Sequence, residues 1–170
     1  MGDRRVGERR DVAPAPRPPI TVRLHSAERA ILRVMLLAPT RIESIGERIG
    51  PDSFRAPAYR EIFEALIRLG EAATPQSIAE AMSEDGVVVL QTLLEANPAE
   101  FEPLDVTLSD SLDALRRRDL EDRNEEIDRE LTVARSDEEK DALTREKIAI
   151  ATEMRSISSK GWRKFGRSNR

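Results

Sequence analysis

The stretch LDVTLSDSLDALRRRDLEDRNEEIDRELTVARSDEEKDALTREKIAIATEMRSI, residues 104–157, decides the fold. Its apolar positions keep helical spacing, as Leu104, Leu108, Leu112 and Leu115 make a narrow stripe. Arg116, Arg117 and Arg118 interrupt the stripe, and it resumes at Leu120, Ile127, Leu131 and Ala134. This predicts one helix from about Leu104 to Ala134. Ser136 and Glu139 then have the spacing of a capping box. A second long helix follows, with Leu143, Ile148, Ile150, Ala151, Met154 and Ile157. Two long helices joined by about four polar residues read as an αα-hairpin. Pairing around its turn predicts Leu131 near Leu143, and Ile127 near Lys147 and Ile148. The three arginines are expected to form a solvated hinge rather than a binding patch.

Residues 24–102, just before this stretch, read as a cluster of short helices. The first is expected from Ala27 to Leu37, with Ser26 as N-cap, Pro39 closing it, and Ala30, Ile31, Val34 and Leu37 on one face. Thr40 and Glu43 suggest a capping box for a second helix ending near Gly50. The run from Pro51 to Phe54 predicts a helical turn presenting Phe54 inward. Pro57 suits the first position of a third helix, whose Tyr59, Ile62, Phe63, Leu66 and Leu69 keep the 3.6-residue period. A fourth helix is expected from Thr74-Pro75, with Ile78, Ala81 and Met82 inward. Three valines between Val87 and Ala96 favour a strand, but no partner strand exists elsewhere, so this segment too reads as helix. The expected core is Ile31, Val34, Phe54, Tyr59, Ile62, Phe63 and Leu66.

Composition agrees with an all-α chain. Ala, Leu, Glu and Arg dominate, and all are good helix formers. With 39% hydrophobic and 35% charged residues among 170, part of the chain should lie outside any packed core. The expected division is a Pro- and Arg-rich linker at 1–22, a compact helical subdomain at 23–103, a long helix and antiparallel hairpin at 104–157, and a basic tail at 158–170. Ala13-Pro14-Ala15-Pro16-Arg17-Pro18-Pro19 cannot hold a helix, which suits a linker and a piece of a larger protein. The overall charge is −4, with +2 on residues 1–17 and +6 on residues 155–170, so the body between carries −12. Such a body disfavours nonspecific duplex binding, and the tail is left free for an acidic protein or a phosphate backbone.

The chain has no cysteine, which excludes disulfides and cysteine-ligated zinc and makes cytoplasmic residence the natural reading. No apolar run approaches the roughly 20 residues of a membrane span. The sole histidine, His25, reads as a cap or surface residue. No catalytic residue, metal ligand, cofactor site or small-molecule substrate is expected.

Two segments carry a family resemblance. Ala27-Glu28-Arg29-Ala30-Ile31-Leu32-Arg33-Val34-Met35-Leu36-Leu37 resembles the opening helix of the helicase-binding domain at the C-terminal end of bacterial DnaG-type primases. The run from Asp52 to Leu66, with Phe54, Pro57, Tyr59, Ile62 and Phe63, resembles another segment of that domain. Both also resemble the N-terminal domain of the DnaB-type replicative helicase, a structural relative. A helicase would continue into an ATPase domain with G-x-x-x-x-G-K-[ST], and nothing here matches. Primases end with a long helix and a helical hairpin, the layout of residues 104–157, and Glu146-Lys147 through Met154-Arg155 resembles primase C-termini. The zinc-binding and polymerase domains of a primase have no counterpart in the chain.

The resemblance implies docking onto the hexameric replicative helicase, which brings primer synthesis to the fork. The candidate contacts are Ile148, Ala151, Met154, Arg155, Trp162, Arg163, Lys164 and Phe165, where apolar residues exceed what one hairpin stripe can bury and aromatic residues stand among basic ones. A weak nucleic-acid contact through the tail is a further expectation. Two other readings stand beside this one: a helicase N-terminal-like oligomerisation domain, and a nucleic-acid-binding adaptor using the tail with stacking from Trp162.

Overall fold

Ile31, Leu32, Val34 and Met35 are all fully buried, so the first helix buries a broad apolar face and lies at the centre of a bundle. A computed structural model describes the backbone of residues 21–165 and the side chains of residues 27–157. The elements are α1 (Thr21–Leu37), α2 (Ile42–Gly46), α3 (Pro57–Leu69), α4 (Pro75–Ala79), α5 (Glu84–Glu95), α6 (Leu104–Val133) and α7 (Asp137–Phe165). Single 3₁₀ turns at Pro39–Arg41, Pro51–Ser53, Gly70–Ala72 and Pro98–Phe101 link the short helices. The described residues contain no strand, and the valines after Gly86 lie in α5.

Around α1 pack α3, α5 and the first half of α6. From α3 come Ile62, Phe63, Ala65 and Leu66, and Pro57 occupies its first turn as expected. Phe54 is fully buried, its ring 4.8 Å from that of Phe63. Tyr59 is half-buried at the edge of this core, and burial raises its phenol pKa. Gly70 ends α3 at φ 58°, a conformation that glycine adopts without a side-chain penalty. Leu108, Leu112 and Leu115 of α6 complete the same core. The long helix therefore begins inside the compact unit and leaves it.

Several local expectations are corrected. The first helix begins at Thr21, two residues after Pro19, so Ser26 is interior and not its cap. No proline or glycine between them stops the helix earlier. Its buried residues wrap beyond the expected face, to Leu32 and Met35, while Leu37 is half-buried. Thr40 does not cap α2, because Pro39 starts a 3₁₀ turn that runs directly into the helix. That helix stops at Gly46, not near Gly50. Thr74 does cap α4, in a reciprocal pair with Ser77. The helix ends at Ala79, which leaves Ala81 exposed and Met82 half-buried.

Candidate docking surface

Beyond the bundle, α6 and α7 form an antiparallel hairpin. Its seam is made by Leu120 and Ile127 from α6 and by Leu143, Ile150 and Ile157 from α7. The seven-residue steps keep one narrow edge of each helix facing the other. Leu131, Ala134 and Met154 pack half-buried against it. At the turn, the Glu139 backbone N–H donates to Ser136 Oγ at 3.1 Å, and the Arg135 N–H to the Glu139 carboxylate at 3.3 Å. The expected box is thus present with its second bond displaced by one residue.

Ion pairs fix the register along the seam. Arg123 donates twice to Glu146, at 2.7 and 3.0 Å, and also to Glu126 and Glu130 on its own helix. Arg116 donates twice to Glu153, at 2.7 and 3.1 Å. Lys147 pairs with Asp128. Hydrogen bonds from the guanidinium groups hold the Glu146 and Glu153 carboxyls below the ordinary glutamate pKa. Those that Arg123 donates to Glu146, Glu126 and Glu130 raise its own pKa.

Where the hairpin leaves the bundle, Arg118 is buried, with 4% exposure, and Glu28 is 1% exposed. Arg118 Nη1 donates to Glu28 Oε1 at 2.6 Å, and Nη2 donates to the Ser53 carbonyl at 2.7 Å. The same Glu28 carboxylate accepts the backbone N–H groups of Arg55 at 3.0 Å and Ala56 at 3.5 Å. Outside this knot, Arg55 pairs with Asp122. The expected solvated hinge is therefore wrong for Arg118, which follows Leu108, Ser111 and Leu115 on the inward face of α6. Only Arg116 and Arg117 are exposed. Sequence reasoning missed the Glu28–Arg118 pair, although the phase of the stripe already placed residue 118 inward.

The expected contact residues separate into three groups. Ile148 is 60% exposed and Ala151 and Arg155 are exposed with it, so the three share the outer face of α7. Ile148 stands five residues past Leu143, off the seam, so it does not pack near Ile127 as expected. Met154 packs against the seam and is not surplus surface. Trp162, Arg163, Lys164 and Phe165 fall in the last turns of α7, and their side chains lie outside the described residues.

Residues 22–99 match the family model for the DnaB-like helicase N terminal domain. The match covers α1 through α5 and stops short of the hairpin. No curated protein and no solved structure matches the chain. The compact unit is thus related in fold to the DnaB-like helicase N-terminal domain. Among the described residues, no group of His, Cys, Asp and Glu is placed to hold a metal ion, and no helix is long and apolar enough to cross a membrane.

Proposed function

We propose that the chain is the helicase-docking module of a bacterial DnaG-type primase, binding the replicative helicase hexamer to place RNA primer synthesis at the fork. The observation that carries this reading is the continuity of α6. One helix runs from the core of a DnaB-like N-terminal fold into a hairpin that the family match does not cover. That layout resembles the C-terminal end of bacterial primases. The grip is assigned to the outer face of α7, through Ile148, Ala151 and Arg155, and to Trp162, Arg163, Lys164 and Phe165 beyond it. A few desolvated apolar anchors supply most of the affinity. The basic residues speed encounter with an acidic partner surface, a contribution that fades with salt.

Truncation after Ala134 tests the assignment. The bundle core keeps Leu108, Leu112 and Leu115, so its thermal transition is retained while capture of the helicase in a pull-down is lost. Undiminished capture would put the contact on the bundle.

The family match favours a second reading, an oligomerisation domain. Light scattering of the chain alone separates the two. Docking predicts a monomer at micromolar concentration, and oligomerisation predicts a dimer or ring.

A further inference from the structure

Between α2 and α3 lies an apolar groove of about 550 Å³, lined by Ile42, Ile49, Phe63 and Ile67. Ile67 is 41% exposed on its wall. On the opposite side Gly46 lets α2 lie close to α3, since a Cβ there would stand 2.6 Å from the tip of the Ile67 side chain. The rim carries Glu43, Glu47 and Glu71, all exposed. No lysine or arginine among the described residues forms an ion pair with any of the three. An apolar floor inside an unpaired acidic rim suits a basic segment bearing aromatic side chains.

We propose that residues 158–170 of this same chain seat in that groove. The segment holds Lys160, Arg163, Lys164, Arg167 and Arg170, no acidic residue, and the aromatic pair Trp162 and Phe165. Trp162 and Phe165 stand three residues apart in the sequence, with basic residues beside them. The topology delivers the segment to the site. Glu153 of α7 is bonded to Arg116, and Arg116 lines a shallow cavity together with Arg48, Ile49 and Gly50. Ile49 and Gly50 also line the groove. Running antiparallel to α6, α7 heads toward the start of that helix, where Asp105 is bonded at 2.5 Å to Arg41, the residue preceding α2. The helix carries residues 158–165 of the segment in that direction. The N-terminal residues 1–17 fit less well, with acids among their arginines and no aromatic side chain.

The seat holds the residues assigned above to the helicase, so groove and helicase compete for them. It exists without any partner, and its failure would leave helicase docking untouched. Trp162 is the sole tryptophan, which makes its fluorescence a direct reporter. In the whole chain its emission should be blue-shifted and shielded from acrylamide relative to a free peptide of residues 158–170. Glu43→Lys, Glu47→Lys and Glu71→Lys combined should shift it toward the peptide's emission with helical content unchanged. Ile67→Glu should do the same, and added salt should do so in part. Peptide-like emission from the unaltered chain would overturn the proposal. So would shielding that neither groove variant moves, which would place Trp162 elsewhere, or shielding lost on dilution, which would place it on a second copy.

Discussion

Arg118 puts a guanidinium where the stripe of α6 would otherwise bury an apolar side chain, and Glu28 is the reason it can. Taking two charges out of water is costly, and the pair persists because each remaining polar atom finds a partner: Ser53 for the arginine, and the Arg55 and Ala56 amides for the glutamate. Arg118→Ala should therefore destabilise the chain by about 3–5 kcal/mol in denaturant unfolding, since it strands a buried carboxylate. Glu28→Met with Arg118→Leu should recover part of that loss. The shortfall, about 1–3 kcal/mol for backbone amides left unpaired, measures the second task of Glu28. Full recovery would mean that the amides find water. Phe63→Ala, which empties one side of the contact with Phe54, should cost about 3–5 kcal/mol. An unchanged midpoint would contradict its place in the core.

At the scale of elements, strong apolar periods were legible and ends set by local competition were not. The first position of α3 and both ends of α6 follow from Pro57 and from the long leucine stripe. The start of α1 and the role of Thr40 did not, because a cap-forming residue marks a helix end only where the helix does not simply continue through it. The division of α7 into a seam and an exposed face was half legible. Its excess of apolar residues was plain, but the seven-residue step from Leu143 to Ile150 to Ile157 decides that Met154 joins the seam and Ile148 does not. The ion pairs beside that seam predict an acid-sensitive hairpin. Glu146 and Glu153 have carboxyl pKa values lowered in the folded state. Their contribution is full above the unfolded value of about 4.5 and is lost as pH falls through the lower folded values. Hydrogen exchange in α7 should accelerate over that acid window before exchange in α1 does. Glu146→Gln with Glu153→Gln should remove most of this difference, and an α7 whose exchange follows α1 throughout would contradict it.

At the largest scale, the described residues form a bundle with an arm. As one helix of 30 residues, α6 is about 45 Å long, and roughly its second half carries the hairpin beyond the core. Small-angle scattering should show an elongated particle, and a globular profile would contradict the layout. Arg118 and Glu28 sit where arm meets bundle, so a buried bond sets the arm's direction in advance of any partner. The central claim is that the outer face of α7 meets the helicase. It is tested most directly by titrating labelled replicative helicase with the intact chain and with Ile148→Asp combined with Ala151→Asp. Both positions are solvent-exposed, so the variant should unfold like the parent. A charge placed in an apolar contact should weaken binding at least tenfold, about 1.4 kcal/mol. Equal affinity for parent and variant would contradict the account.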